Sequence, residues 1–201
     1  MNAIAANLPF IVPLAGTEKV GALERNARAQ AMFDAHYDVI WRTLCRLGVP
    51  DADVDDAAQK VFLIGAARLD DIVRGDEGRY LYGIALRVAS EVRRRSPSRR
   101  ETHDEQWLES LADDAPSAED ALLANEARSA IDEVLAEMPD DQREVFVLVE
   151  IEELTLPVVA ELASVPLGTA TSRLRRARES FERGVRRFRA RRLFELKQEA
   201  R

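Results

Sequence analysis

The chain is expected to be all-α, built as two small helical domains joined by a flexible acidic linker. Three observations predict this. Apolar residues recur at steps of three and four through every long segment, and no segment sustains period-two alternation. Residues 97–120 interrupt that pattern with a run rich in Asp, Glu, Ser and Pro. On either side of it, a chain of 201 residues with 46% hydrophobic content is large enough for a core in each half.

The first domain is placed at 22–96. Ala22 to Leu47 carries Phe33, Tyr37, Ile40, Trp41, Leu44 and Leu47 on one face, and Gly48-Val49-Pro50 ends it. Asp51 or Asp53 is the expected cap of the next helix, whose buried stripe is Val54, Ala57, Ala58, Val61, Phe62 and Gly65. A polar loop, Asp70 to Gly78, leads to a third helix from about Arg79 to Arg95. That helix buries Leu81, Ile84, Ala85, Val88 and Val92 and carries Arg79, Arg87, Ser90 and Arg94 on its other side. Ser96-Pro97-Ser98 stops it. Trp107, Leu108 and Leu111 are the apolar exception within the linker and read as a short helix or a docking anchor.

The second domain is placed at 121–183. Helical spacing resumes over Ile131 to Met138, breaks at Pro139, and restarts from Asp140 to Glu152 with Val145, Leu148 and Val149 inward. The segment from Leu154 to Phe181 then reads as two short helices and a tight turn. Thr155 is the expected N-cap, Pro157 sits in the first turn, and Val158, Val159 and Leu162 form a short apolar face. In the second helix Leu167, Ala170, Leu174, Ala177 and Phe181 line one side, while Thr169, Ser172, Arg173 and Arg176 share another. A helix that packs inward while presenting hydroxyls and guanidiniums outward suits the major groove, where arginine takes two acceptors on a guanine edge. By periodicity alone a solvated basic surface is an equal reading, but the lengths of helix, turn and helix fit a helix-turn-helix.

Charge distribution agrees with a nucleic-acid partner although the net charge is −7. Arginines crowd into Arg93 to Arg100 and Arg173 to Arg192, while Glu101 to Glu153 is acidic with only Arg128 and Arg143 against it. The local field over a Debye length of about 8–10 Å, not the total charge, governs attraction to phosphate. The N-terminal stretch MNAIAANLPFIVPLAG is apolar but lacks a basic start and is broken by Pro9 and Pro13, so residues 1–21 are expected to be a disordered extension, not a signal peptide. No apolar run reaches the length of a membrane span, so no membrane insertion is expected. The single cysteine, Cys45, lies on an apolar pattern and reads as a core thiol in a reducing cytoplasm. His36 and His103 lack metal-ligand spacing, and no phosphate loop or nucleophile motif is present, so no metal, no cofactor and no catalysis are expected.

Three strings together carry a family resemblance: DADVDDAAQKVFLIGAARLDD (Asp51 to Asp71), RYLYGIALRVASEVRRR (Arg79 to Arg95), and MPDDQREVFVLVEIEELTLPVVAELASVPLGTATSRLRRARE (Met138 to Glu179). In this order the chain resembles a bacterial RNA polymerase sigma factor of the extracytoplasmic-function branch. The resemblance covers about Ala31 to Ser96 and about Ala130 to Glu182. It implies a region 2-like domain, a region 4-like helix-turn-helix domain, and two partners, core RNA polymerase and promoter DNA. A cognate anti-sigma protein is a third candidate partner.

The resemblance also assigns roles. Asp55, Asp56 and Gln59, with Lys60 beside them, occupy the helix that docks on polymerase in this family. Exposed carboxylates beside an apolar stripe suit a basic partner helix, and equally suit a solvated helix start. Phe62 and Leu63 are expected to hold the domain together. The loop and third helix correspond to the part that binds the −10 element, with Arg79, Tyr80, Arg87, Ser90 and Arg94 as candidates. Thr169, Thr171, Ser172, Arg173 and Arg176 would read the −35 element. The acidic linker would occupy the polymerase's RNA path, or serve as a solvated tether.

The chain departs from the family pattern at Lys60, where an acid is common, at Tyr80 for tryptophan, and at Arg87 near a usual asparagine. Thr171 replaces a basic residue and Ser164 the glycine of the turn. A stand-alone helix-turn-helix regulator stays open as an alternative, as does a sigma-like protein that binds polymerase or an anti-sigma protein without directing initiation. The basic tail, 184–201, is expected to lengthen the last helix, grip upstream DNA or dock on a partner.

Overall fold

The computed structural model describes residues 17–95 and 130–199, and among them every regular element is helical. Three helices form the first domain: α1 (Thr17–Arg46), α2 (Asp51–Ala67) and α3 (Glu77–Arg95). The second contains α4 (130–136), α5 (Asp140–Phe146) continued by a π-helical turn (Val147–Ile151), α6 (Leu156–Leu162) and α7 (Leu167–Glu199). Helix α1 starts at Thr17, ahead of the expected Ala22, so helix enters the stretch expected to be disordered. The linker and its Trp107, Leu108 and Leu111 lie outside the described residues.

The first core follows the apolar periodicity. Val54, Ala57, Ala58, Val61, Phe62 and Gly65 are the buried face of α2, meeting Ile40 and Leu44 from α1, Leu47 just past its end, and Leu81, Ile84, Ala85 and Val88 from α3. The rings of Phe33 and Tyr37, 4.8 Å apart, and of Phe33 and Phe62, 5.0 Å apart edge-on, close the α1–α2 seam. Val92 is only partly buried. Leu63 corrects the expectation most clearly. It is 46% exposed, because it lies on the side of α2 opposite the buried stripe.

Helix starts differ from expectation in their chemistry. Pro50, not Asp51 or Asp53, is the residue before α2, and no side chain caps it; the two aspartates sit inside the first turn, where they face the positive end of the helix dipole. Thr155 does precede α6, but its hydroxyl makes no capping bond, and Pro157 occupies the first turn as expected. The segment expected as a polar loop from Asp70 to Gly78 is shorter. A 3₁₀ turn (Leu69–Asp71) opens it and α3 already begins at Glu77. Arg28 of α1 fastens this segment, donating to the carbonyls of Leu69 at 2.9 Å and Ile72 at 2.7 Å and to Glu77 Oε1 at 2.7 Å. Burial pushes the Glu77 carboxyl up, but the Arg28 guanidinium and the Gly75 N–H outweigh it and hold the group below its ordinary value.

The two domains pack on one another through the end of α1. There Val49 N donates to the Leu44 carbonyl and Gly48 N to that of Cys45, a Schellman ending with Gly48 at φ +83°. The Leu47 carbonyl is left facing the second domain. It accepts from Arg93 of α3 at 2.6 Å and from Arg143 of α5 at 3.5 Å. Arg93, expected as part of an exposed basic patch, is instead 12% exposed and also binds Asp140 and Glu144. Burial also pushes the half-buried Cys45 thiol well above its usual range, with the Asp51 and Asp132 carboxylates adding to it, which fits a packed, unreactive thiol.

Two predictions follow from these contacts. A Cβ at Gly48 would lie 1.9 Å from Arg143 Nη1 in a backbone region disfavoured for other residues. Gly48→Ala should therefore cost more than about 2 kcal/mol in denaturant unfolding, far beyond an exposed Gly→Ala change. Because the Glu77 carboxyl is held low in the folded state, its contribution exists above the ordinary carboxylate range and is lost as pH falls through the folded value. Glu77→Gln should thus be less stable than the parent at pH 7, with the gap closing as pH is lowered below about 4 in parallel melts.

Candidate nucleic-acid interface

The helix-turn-helix is positioned by the irregular end of α5. Glu152 N donates to the Val147 carbonyl at 3.0 Å, the i+5 bond of a π-turn, and Leu154 N closes a still wider loop on the Leu148 carbonyl at 2.9 Å. Buried Phe146, Val147 and Leu148 anchor this turn, and Glu153 at φ +56° reverses the chain into α6. Val149 is only partly buried. Between α6 and α7, Ser164 N bonds the Glu161 carbonyl and Val165 N that of Ala160, with Ser164 at φ +54°. This is the left-handed position where glycine is favoured, and serine holds it here.

Helix α7 seats Ala170, Leu174 and Ala177 in the core and stacks Phe181 on Phe146 at 4.7 Å. Leu167, expected on the same face, is 50% exposed because the core ends one turn after the helix begins. Of the five candidate readers, Thr171 and Arg176 are exposed, and Thr169, Ser172 and Arg173 are partly buried. Thr171 Oγ1 donates to the Leu167 carbonyl and Ser172 Oγ to that of Thr169, so both hydroxyls satisfy their own helix. Arg173 Nε is 3.2 Å from Asp141. Arg175 is exposed on the same outer surface and pairs with Glu179; its exposure, not its sequence spacing, adds it to the group. The 184–201 tail is a continuation of α7 to Glu199, which Arg191 pins to Glu133 of α4 and Arg187 to Glu137 just past its end.

In the first domain Arg79, Arg87, Ser90 and Arg94 fall along one stripe of α3, as their spacing requires. Arg79, Arg87 and Arg94 are exposed, and Ser90 and Tyr80 partly buried, Tyr80 against the core. Arg87 Nε and Arg94 Nε each donate to the carbonyl one turn back, at Gly83 and Ser90. Arg79 pairs with Glu161 of α6. On α2, Asp56 and Gln59 are exposed, and Asp55 is exposed while accepting from Trp41 Nε1 at 2.8 Å. Lys60 is turned to Glu91 of α3 at 2.6 Å. Leu63 lies one turn beyond Gln59 on the open side, outside the buried stripe, an apolar surface group where a residue holding the domain together was expected.

Among the described residues there is no group of side chains arranged to hold a metal ion, and no helix long and apolar enough to cross a membrane. Two helical domains, the second ending in a helix-turn-helix with guanidiniums outward, define a DNA-recognition protein. Residues 128–181 match the family described as Sigma-70, region 4. The chain is 31% identical over 146 residues to the ECF RNA polymerase sigma-E factor of Escherichia coli K12, covering 68% of this chain and 76% of that protein. It is 26% identical over 163 residues to the ECF RNA polymerase sigma factor SigW of Bacillus subtilis, covering 77% and 87%. The fold is shared with the sigma factor RpoE of Bartonella quintana, solved with the anti-sigma factor NepR, at a TM-score of 0.59 and 16% identity over 78% of this chain and 96% of that one. CnrH, solved with the cytosolic domain of CnrY, gives a TM-score of 0.56 at 23% identity over 78% and 86%. The chain belongs to the extracytoplasmic-function sigma factors, which bind core RNA polymerase and direct promoter recognition and transcription initiation.

Since Ser164 holds a left-handed conformation, Ser164→Gly should raise stability by about 1 kcal/mol and the Tm with it, read by calorimetry. An unchanged or lower Tm would mean that the αL strain is already relieved.

Proposed function

We propose that the two domains divide the work of initiation between three surfaces. Helix α2 docks on core polymerase through Asp55, Asp56 and Gln59, with exposed Leu63 as the apolar anchor in line with them. The observation that carries this is the single open stripe joining Asp56, Gln59 and Leu63, since acids flanking a solvent-exposed leucine fit a basic, amphipathic partner helix. Lys60 is directed away to Glu91 and takes no part in docking on this reading.

Arg79, Arg87 and Arg94 neutralise phosphates of the opened −10 strand, with Tyr80 and Ser90 beside it, and Thr169, Thr171, Ser172, Arg173, Arg175 and Arg176 meet the −35 duplex. Exposure of the arginines and the outward face of α7 support these roles. The protein does no chemistry itself and acts in the cytoplasm with its polymerase. Because RpoE was solved with the anti-sigma factor NepR, an anti-sigma protein is included among the proposed partners of this chain.

Purified protein mixed with core polymerase and a library of genomic promoter fragments should yield transcripts sharing paired upstream motifs; polymerase binding without transcripts would reject the initiation role. Leu63→Glu should weaken core polymerase binding at least ~10-fold by fluorescence anisotropy, because a charge replaces a desolvated anchor. Arg176→Ala should leave that affinity intact. It should cost roughly 1–3 kcal/mol of discrimination at one −35 base pair, measured by transcription from single-substituted promoters.

A further inference from the structure

We propose that the outer arginine row of the α7 tail, Arg183, Arg186 and Arg189, is a second DNA-binding surface, which grips the phosphate backbone beside the −35 major groove while the start of α7 reads the bases. The row lies past residue 181, where the family match ends, and its role rests on the one given above to the start of α7.

This row continues the reader face along one uninterrupted helix. An α-helix turns once in about 3.6 residues, so Arg183, seven residues after Arg176, and Arg186, eleven after Arg175, each point within about 20° of the earlier arginine. Arg189 follows Thr171 by eighteen residues, close to five whole turns. All six of these side chains are exposed. At ~1.5 Å of rise per residue the three tail arginines stand roughly 10, 15 and 20 Å beyond Arg176. A reader helix meets base edges with its N-terminal residues, in a groove about 12 Å wide. The body of α7 therefore clears the phosphate ridge about where these guanidiniums lie.

Packing on α4 holds the row in line with the reader. Gly184 lets α4 come so close that a Cβ there would lie 2.5 Å from Cγ1 of the buried Val134. Arg191 on Glu133 and Arg187 on Glu137 fasten the same side of α7. Arg183, Arg186 and Arg189 lie at least about 100° round the helix from Gly184, so fastening the tail leaves their side open.

Charge selects the occupant. From Arg183 to Arg192 the chain holds six arginines and no acid, a local positive field within a molecule of net charge −7. Arg183 donates to the uncharged Ser180 Oγ at 3.0 Å. Arg186 stands 3.7 Å from Glu182, with 67% and 69% of the two side chains exposed. A pair so open and so long contributes little in water and yields readily to a phosphate. The planar guanidinium fork matches phosphate oxygens, and contacts of this kind fix the position of a protein on the duplex without reading sequence. The row thus supplies affinity and alignment, and the start of α7 supplies choice of bases.

The test uses the full chain bound to core polymerase and a labelled duplex carrying the −35 element and its flanks, taken from a promoter found in the library transcription. Affinity is read by fluorescence anisotropy across a series of KCl concentrations. Arg183→Gln with Arg186→Gln and Arg189→Gln removes the charges and keeps good helix formers. The plot of log K against log salt should become shallower by about 0.9 for each phosphate lost, about 2 to 3 in all, with affinity at about 0.15 M salt at least ~10-fold lower. The affinity ratio between the parent −35 element and its single-substituted forms should stay unchanged. Arg183→Lys with Arg186→Lys and Arg189→Lys keeps the charges and should recover most of the slope. A glutamine variant with the parent's slope overturns the proposal. So does one that loses affinity for core polymerase instead, which would make the row a protein-docking face. If the parent binds the −35 duplex no better than a scrambled one, the reader role of α7 fails and the row's role with it; a parent that discriminates, beside a glutamine variant of unchanged slope, confines the failure to the row.

Discussion

The end of α1 is the constraint on which the arrangement depends. Its last carbonyl, at Leu47, is the negative pole of a 30-residue helix, and two guanidiniums from different parts of the chain converge on it. Arg93 comes from the last turn of α3 and Arg143 from the buried side of α5. Arg143 is 4% exposed and also donates to the carbonyls of Met138 and Ala136, so the loop before α5 is gathered to the same point. All of this requires Gly48, which supplies the left-handed backbone and the missing side chain together. One helix end thereby sets where the second domain sits.

From that fixed point the rest of the interface follows as geometry. The π-turn at Val147–Ile151 adds the extra residue that lets buried Val147 and Leu148 remain in the core while Glu152 faces back toward Tyr82 and Thr43. Burial and the neighbouring Glu152 carboxylate both push the Tyr82 hydroxyl up from its ordinary range, which keeps it a donor at neutral pH. An interface of paired buried polar groups orients its two halves more sharply than an apolar one, since any other docking leaves charges unmatched.

Much of this was legible in the chain itself. The buried stripe of α2 matches its apolar spacing residue for residue, and the helix-turn-helix appears where Thr155, Pro157 and the Ala170-Leu174-Ala177 spacing put it. Ser164 stands at a left-handed turn position, where glycine is the favoured residue. Misreadings arose where an apolar residue adjoins an apolar run without sharing its direction, as at Leu63, or shares the direction but lies beyond the end of the core, as at Leu167. They arose again where charge was read as surface. Arg93 belongs to a basic cluster in sequence, yet its guanidinium is enclosed by acids from 47 and 51 positions away.

The sequence by itself determined what is local: which segments are helical, which face of each is apolar, where chains turn, and the family to which the ordered motifs belong. These depend on backbone propensity and on repeats of three and four residues, which neighbours in the chain encode. Tertiary structure alone decided which charges are paired with side chains from distant parts of the chain. Arg79 on Glu161, Lys60 on Glu91 and Glu152 on Tyr82 are contacts across 82, 31 and 70 residues. No periodicity records such pairings, because they depend on how the packed helices bring distant side chains together.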